Sequence, residues 1–405
     1  MSQPDGEIGR AAARRPLRIF ALASFLNDLG SDMIYPIWPL FVRTVLHANM
    51  AALGLIDGLG EAVVSLSQAA SGYLSDRFRK RKVFIWTGYL CGSLARLGYA
   101  ASAVWQHLIP FKVLDRAGKI RNAPRDAIIA DLSTDRTRGR NFGLLRTMDN
   151  AGAFAGIVIS IALLNVLGFR LLFALAAIPS AVAVGLILTS IKDAPSERRI
   201  FKGLSLRQID GNLRLYIALN AVFSLGAFSY SFLLVFASKS GFSVGAVPVL
   251  YLVYTAAAAA SSLPFGRLSD KIGRKAVLLL AFAAWAGVCL GMVFVRGHAA
   301  IALLFVLYGL HKGALDPVQR TLVTEICPPE FRASALGAFQ MIIGLCALPA
   351  SLTAGLLWER FGSAVPFALS AVLTAAAAVL LLKVKERRAP QASRDEPSAR
   401  HLPVA

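Results

Sequence analysis

The sequence predicts an all-α membrane protein in which twelve transmembrane helices form two pseudo-symmetric six-helix bundles. The first observation is composition: 56% of the 405 residues are hydrophobic and only 16% are charged, whereas soluble domains carry about 25% charged residues. The mean hydropathy is +0.60. The second observation is that the apolar residues come in many blocks of about twenty, the length that a helix needs to cross a bilayer. The third is an internal repeat that divides the chain in two.

The apolar blocks define twelve predicted spans, which we number 1 to 12 in chain order. They cover residues 17–46, 51–74, 83–105, 107–130, 140–167, 169–191, 213–239, 244–267, 275–296, 298–325, 332–357 and 363–385. The polar stretch 192–212 separates six spans from six. The predicted units are a cytoplasmic N-terminal segment (1–16), a six-helix bundle (17–191), a cytoplasmic linker (192–212), a second six-helix bundle (213–388) and a disordered tail (389–405).

The distribution of basic residues predicts the orientation. Most of the 43 lysine and arginine residues fall in the termini and loops on one side of the predicted membrane, and such an excess marks the cytoplasmic side. We call this side the basic side and the other the opposite side. An even number of spans places both termini on the basic side, which is the cytoplasmic side. Because basic clusters beside spans are topology signals, we expect no nucleic-acid partner despite the net charge of +20.

The two halves of the chain repeat each other at a nearly constant offset. The segments that begin at Gly72 and Gly266 are 194 positions apart, and Asp131 and Glu325 have the same separation. A constant offset over several motifs indicates duplicated halves. Duplicated six-span halves pack around a site at the middle of the membrane and rock to expose it to each side in turn.

Two loops on the basic side carry related motifs. The sequence GYLSDRFRKRK starts at Gly72 between spans 2 and 3, and GRLSDKIGRK starts at Gly266 between spans 8 and 9. Both resemble the G-x-x-x-D-[RK]-x-G-[RK]-[RK] loop of the major facilitator superfamily, and the resemblance covers residues 17–385. It implies the fold of that superfamily and a gating role for the loops. The candidate gating residues here are Gly72, Asp76, Arg77, Gly266, Asp270 and Arg274.

Further gating candidates lie on spans 4 and 5. Arg121 and Arg125, near the basic end of span 4, are expected to brace the loop at Asp76. Arg146 and Asp149 are three residues apart on span 5 and are expected to pair within the helix. For this pair, a structural role and a role in transport both remain open.

Spans 1 and 2 carry the candidate proton-coupling residues. Asp28 and Asp32 are four residues apart and share one face of a helix. When two carboxylates lie this close away from water, their repulsion favours protonation of one of them, which is the chemistry that a proton-coupled transporter needs. The alternative is a structural pair satisfied by cations of span 4. Glu61 of span 2 is the third candidate, and Asp57 is expected near the opposite-side mouth.

Span 4 is the most highly charged predicted span, and its charges define a polar face. Its sequence resembles the pattern D-R-x-G-K-G-I-R-x-x-P-R-D of a bacterial facilitator subgroup, with one glycine missing before Ile120. A charge at the centre of a bilayer costs about 2.5–3.5 kcal/mol on insertion scales, so this face must meet water, partner charges or substrate. Its cations could attract an anionic substrate or hold Asp28 and Asp32 ionised.

The predicted substrate cavity combines polar residues of spans 1, 4 and 10. A lone histidine such as His311 of span 10 is usually structural, and a helix-packing donor is one interpretation of it, whereas the neighbouring Lys312 and Asp316 favour a polar face here. The candidate cavity residues are Asn27, Ser31, Tyr35, Lys112, Asp115, Arg116, Lys119, Lys312, Asp316 and Gln319.

These features favour a secondary active transporter over an enzyme. The sequence has no phosphate-binding glycine loop, metal-ligand cluster or catalytic triad, so we expect no cofactor, no metal and an ion gradient as the energy source. The first hypothesis is proton-coupled efflux of a small organic solute, because the resemblance is to exporter-like bacterial members. The protein is then expected to act as a monomer in the lipid bilayer of the bacterial inner membrane. The alternatives are proton-coupled uptake of an anionic metabolite, favoured by the basic face of span 4, and a receptor or lipid-binding protein that does not transport.

Overall fold

The computed structural model describes residues 7–78, 80–134, 137–191, 210–328 and 331–386, with side chains from residue 15 onward except those of residues 72–78 and 333. The tail expected at 389–405 lies outside the described residues, as does most of the linker expected at 192–212. Residues 1–6 of the expected N-terminal segment also lie outside them. In the part that is described, every regular element is a helix, and no strand is present.

The helices follow the predicted spans closely. In chain order they are Glu7–Asp32, Trp38–Leu40, the π-helix Phe41–Val45, Met50–Phe78, Arg81–Ala101, the 3₁₀ turn Trp105–His107, Leu108–Ala117, the 3₁₀ turn Gly118–Arg121, Asn122–Asp131, Arg138–Ser190, Gly211–Gly226, Ser231–Lys239, Val247–Ile272, Arg274–Phe294, His298–Ile326, Arg332–Phe361 and Ala364–Lys383.

These helices make twelve membrane crossings within the described residues. The segment Arg138–Ser190 has 53 residues and would be about 80 Å long if straight, far more than the ~30 Å hydrocarbon core. Its backbone leaves helical geometry at Gly168, where φ is +69°, a conformation that glycine adopts without strain. Spans 5 and 6 therefore meet at this glycine. Eight helical segments, this one included, are long and apolar enough to cross a membrane, and spans 1, 3 and 4 are the more polar remainder.

Spans 1 and 7 are both interrupted at equivalent places. The helix of span 1 stops after Asp32 and resumes at Trp38, and that of span 7 stops after Gly226 and resumes at Ser231. The interruptions start 194 positions apart, which is the repeat offset. They face each other across the molecule, since the Tyr230 hydroxyl donates a hydrogen bond to the carbonyl of Tyr35 at 3.2 Å.

The two halves are in close contact on the opposite side of the membrane. Span 2 runs antiparallel to span 11, and Gly54, Gly58 and Gly355 bring their backbones into contact. At the outer end, Glu359 lies 3.7 Å from Arg43 and accepts a 2.6 Å hydrogen bond from the amide of Met50. These contacts seal the opposite side.

Toward the basic side the halves diverge. Among the hydrogen bonds that join the described parts of the two halves, the one nearest the basic side links Ser65 Oγ to the carbonyl of Gln340 at 3.4 Å. Polar side chains beyond the seal, including Glu61, Asp316 and Arg320, are exposed. The structure is therefore open toward the basic side.

Candidate functional site

A cavity of about 520 Å³ lies between the two halves at the inner end of the seal. Spans 2, 4 and 5 form one wall, and spans 7, 8, 10 and 11 form the facing wall. Five of the predicted site residues line it, namely Glu61, Lys112, Arg116, Lys312 and Asp316. The other lining residues are Asp57, Asn150, Ala227, Phe228, Ser229, Tyr230, Tyr254, Thr255, Ala258, Ala259, Ser262, Tyr308, Ala347 and Ser351.

A buried ion pair forms the sealed end of the cavity. Lys112 Nζ lies 3.3 Å from Asp57 Oδ1, and both side chains are almost fully buried. Trp38 Nε1 donates to Asp57 Oδ1 at 2.8 Å, while the Lys112 ammonium lies 4.0 Å from the centre of the Trp38 ring. Ser229 of the other half donates to Asp57 Oδ2 at 2.7 Å. This carboxylate therefore joins the ion pair of one half to the span 7 interruption of the other.

Arg116 occupies the wall next to this ion pair. Its guanidinium lies 3.7 Å from Asp115 Oδ2 and 4.0 Å from Glu61 Oε1, and it stacks 5.1 Å above the ring of Tyr35. Asp115 and Tyr35 lie behind Arg116 and do not line the cavity. Glu61, in contrast, is 54% exposed, and its distance from Arg116 exceeds that of a hydrogen bond.

Asp28, Asp32 and Lys119 form a neighbouring cluster outside the cavity wall. Asp28 accepts a 2.8 Å hydrogen bond from the Asn27 amide. Asp32 lies 3.5 Å from the hydroxyl of Tyr251, which belongs to the other half. Lys119 interacts electrostatically with both carboxylates, and within the described residues it makes no hydrogen bond or ion pair. The cluster therefore holds two acids, one cation and one contact between the halves.

Arg96 of span 3 is a buried cation that the sequence analysis did not single out. Its guanidinium donates to the carbonyl of Ala176 (2.8 Å), Ser180 Oγ (2.6 Å), Ser31 Oγ (2.8 Å) and the carbonyl of Asn27 (3.1 Å). None of these acceptors is a carboxylate. Asn27 and Ser31, expected in the cavity, instead hold Arg96 in place and are themselves buried. This arrangement ties spans 1, 3 and 6 together.

The facing wall, from the second half, is rich in tyrosine. Tyr254 and Tyr308 have ring centres 5.0 Å apart, and Tyr230 lies 6.3 Å from Tyr254. Tyr251, one turn from Tyr254, extends this group to Asp32. No motif in the sequence marked these residues, although their recurrence on three spans at similar depth was a usable signal.

Span 10 contributes charges to the cavity and a polar contact to the core of the second half. Lys312 is half-buried and Asp316 is exposed in the cavity. Gln319 does not line the cavity; its amide donates to Asn220 Oδ1 at 2.5 Å inside the second half. The ring of His311 is buried, stacks near Trp285 and lies 2.8 Å from the carbonyl of Ala281. It packs the helix, as expected from the sequence.

The gating candidates of the first half fall into two groups. Gly72, Asp76 and Arg77 continue the helix of span 2, but their side chains lie outside the described residues. Arg125 donates to Ser24 Oγ at 2.6 Å and pairs with Asp126 at 2.9 Å. Arg121 donates to the carbonyl of Gly118 at 2.8 Å, inside the 3₁₀ turn that replaces α-helix where the glycine of the facilitator pattern is missing.

The remaining gating candidates make ion pairs within one half. Arg146 lies 3.6 Å from Asp149 on span 5. In the second half, Arg274 pairs with Asp270 at 2.5 Å and with Glu325 at 3.1 Å. Gly266 has no neighbour within 4 Å of a side chain built on it. Arg274 thus ties the loop between spans 8 and 9 to the end of span 10.

Comparison with known proteins identifies the family. A family profile described as Major Facilitator Superfamily matches residues 20–236 and 215–405. The chain belongs to this superfamily. The MFS-type transporter MJ1317 of Methanocaldococcus jannaschii is 35% identical to this facilitator over 374 residues, which cover 90% of this chain and 93% of that protein.

Two further similarities are more distant. The multidrug resistance protein MdtH of Aeromonas hydrophila is 25% identical over 354 residues, covering 86% of this facilitator and 89% of MdtH. A crystal structure of a variant of the nucleoside transporter NupG superposes with a TM-score of 0.78 at 14% identity, covering 91% of this chain and 99% of that one. At that identity, the structural similarity shows the fold alone. This facilitator is therefore a multi-span membrane transporter with twelve helices.

Proposed function

We propose that this facilitator exports a small organic solute by alternating access, with protons moving in the other direction. The observation that carries the proposal is the central cavity, which lies between the duplicated halves, is sealed on the opposite side and is open on the basic side. With the basic side in the cytoplasm, this is the state in which an exporter loads its solute and an importer releases one, so the cavity supports alternating access in either direction. The similarity to MdtH, a protein named for multidrug resistance, supports the outward direction.

The cluster of Asp28, Asp32 and Lys119 supplies the proposed proton step. An ionised Asp32 accepts the hydrogen bond of Tyr251 from the other half. A proton on Asp32 removes its charge and weakens that bond, so protonation changes the contact between the halves. This links proton binding to the rocking motion. Glu61, the third coupling candidate, is exposed in the cavity, which opens toward the basic side.

The alternative, uptake of an anionic metabolite, depends on a free basic face of span 4. Lys119, for which the described residues provide no ion pair, lies outside the cavity lining. Lys112 and Arg116 are the span 4 cations that line the cavity, and each has a carboxylate within 4.0 Å. Cations paired in this way attract an anion weakly, because their charge is already compensated. Export of a solute that is not a simple anion is therefore the better proposal. In this proposal the protein acts in the bilayer as a monomer. Transport driven by an ion gradient requires no enzymatic activity.

Proton coupling is tested in inverted membrane vesicles that hold an imposed pH gradient. A pH-sensitive dye reports loss of the gradient when cationic, neutral, zwitterionic or anionic compounds are added. We expect at least one compound to dissipate the gradient, and Asp28→Asn and Asp32→Asn to lose that response. Asp210→Asn, which alters an exposed carboxylate at the basic end of span 7, is the matched control. A gradient that no compound dissipates, or that the Asp28 and Asp32 variants dissipate normally, would refute the proposed coupling.

A further inference from the structure

Two charges in the cavity have no close partner. Lys312 and Asp316 lie one turn apart on span 10 and both line the cavity, yet neither makes an ion pair within 4.0 Å or a hydrogen bond with any described residue. Glu61, across the cavity, is 54% exposed and 4.0 Å from its nearest cation. The cavity therefore displays one accessible positive charge and two accessible negative charges at separate positions.

The charges of the whole lining nevertheless balance. Among the described lining residues, the three carboxylates are those of Asp57, Glu61 and Asp316, and the three cations are Lys112, Arg116 and Lys312. A solute with a net charge would leave that charge uncompensated when the cavity closes around it in a medium of low dielectric. An uncharged solute would leave Lys312 and Asp316 desolvated without partners. A solute that carries both signs avoids both costs.

The facing wall adds a second requirement. Tyr230, Tyr254 and Tyr308 line the cavity and form a series of ring contacts with centres 5.0 to 6.3 Å apart, and Phe228 also lines it. An aromatic group of the solute can add to this cluster, because aromatic rings pack favourably against one another in offset or edge-to-face arrangements. This wall therefore favours a flat aromatic group over a purely polar solute.

We propose that the cavity binds a small zwitterion that carries an aromatic ring. Lys312 binds the anionic group, the carboxylates of Glu61 and Asp316 bind the cationic group, and the ring lies against Tyr254 and Tyr308. Since Glu61 and Lys312 belong to different halves, a bound zwitterion connects the two halves through the solute. This inference rests on the proposed function as a solute transporter and names its substrate class.

Three probes with one skeleton and different charges test the proposal. L-phenylalanine is a zwitterion, 2-phenylethylamine carries only the positive charge, and 3-phenylpropionate carries only the negative charge. Their binding to the purified full-length protein is measured by isothermal titration calorimetry in detergent. We expect phenylalanine to bind at least about tenfold more tightly than either singly charged probe, since each lacks one charge-assisted contact. Equal binding of the amine or of the acid would overturn the proposal, as would no binding of any probe.

Charge-neutral variants assign each contact. Lys312→Gln should weaken the binding of phenylalanine and phenylpropionate about tenfold without weakening that of phenylethylamine. Asp316→Asn should weaken the binding of phenylalanine and phenylethylamine without weakening that of phenylpropionate. The like-charged probe loses a repulsion in each case. A misfolded variant would weaken all three probes, so the crossed pattern is specific. Arg320→Gln, an exposed cation of span 10 that does not line the cavity, is the control. Parallel losses for all probes in both variants would refute the assignment.

The binding result and the proton-coupling result can fail independently. Calorimetry in detergent measures binding without a membrane or a gradient, so it does not depend on proton coupling. If phenylalanine fails to bind, the substrate class is overturned, while a positive vesicle experiment still supports coupled export. Conversely, selective binding without any dissipation of a pH gradient supports the substrate class and refutes the coupling.

Discussion

The contact between spans 2 and 11 should be sensitive to a single methyl group at Gly58. A β-carbon at this position would lie 2.7 Å from Leu348 Cα and 2.8 Å from the carbonyl of Ala347. Ordinary van der Waals contact begins at 3.4 Å, so Gly58→Ala requires the two backbones to separate by about 0.7 Å. Backbone atoms cannot rotate away, and overpacking of this kind costs about 1–3 kcal/mol.

That cost applies only while the opposite side is sealed, because the two spans must separate for the cavity to open there. Gly58→Ala should therefore shift the population roughly 5- to 150-fold toward the state open on the opposite side. The measurement is electron–electron resonance between spin labels at Thr44 and Arg360, near the opposite-side ends of spans 1 and 11, after replacement of the four native cysteines. We expect the short-distance population to shrink and a longer distance to grow.

Gly185→Ala is the matched control for this experiment. It adds the same methyl group to span 6, where nothing lies within 4 Å of it, and it should leave the distance distribution as in the parent protein. An unchanged distribution in Gly58→Ala would show that this contact does not seal the opposite side.

Three further substitutions test the polar contacts. Lys112→Met leaves Asp57 as a buried carboxylate without its cation and should lower the free energy of unfolding by about 3–5 kcal/mol. Thermal denaturation should show that adding Asp57→Asn restores most of this loss. Full stability of the single variant would contradict the pairing. Arg96→Lys replaces a planar group that reaches five acceptor atoms by one ammonium group, so the melting temperature should fall clearly. The exposed-site control Arg296→Lys should leave it unchanged. Arg274→Ala breaks two ion pairs at the basic end. It should change the free energy of unfolding by less than about 1 kcal/mol but alter the initial rate of solute flux. An unchanged rate would argue against a gating role.

The sequence could predict the twelve helices because the signals are long and repeated. A block of twenty apolar residues in a bilayer can satisfy its backbone hydrogen bonds as a helix, and few other structures do so. The 194-residue offset, which is visible in the sequence itself, shows that the two halves repeat each other. The interruption of span 1 also had a signal in Pro36, since proline lacks an amide donor and disfavours helix in the residue before it. The interruption of span 7 has no proline and could be inferred only from the repeat.

The side chains that meet across helices were harder to predict. Helical spacing predicts how deep in the membrane Asp57 lies and on which face of span 2. It does not show that the interruptions of spans 1 and 7 bring Trp38 and Ser229 to its carboxylate. Arg96 was missed because it is a single cation among apolar residues, without a charged neighbour in sequence. Helical spacing groups Gln319 with Lys312 and Asp316, which line the cavity, but the amide of Gln319 is directed to Asn220 inside its own half.

The balance of charges around the cavity has an electrical consequence. Moving one elementary charge through the membrane potential changes the free energy by about 2.3 kcal/mol per 100 mV. Because the described lining carries three carboxylates and three cations, their joint movement past the seal transfers almost no net charge. In the proposed antiport, reorientation with an empty or zwitterion-loaded cavity then moves no net lining charge, and the exchanged proton makes the cycle electrogenic. The proposed export would therefore be driven by the membrane potential as well as by the pH gradient.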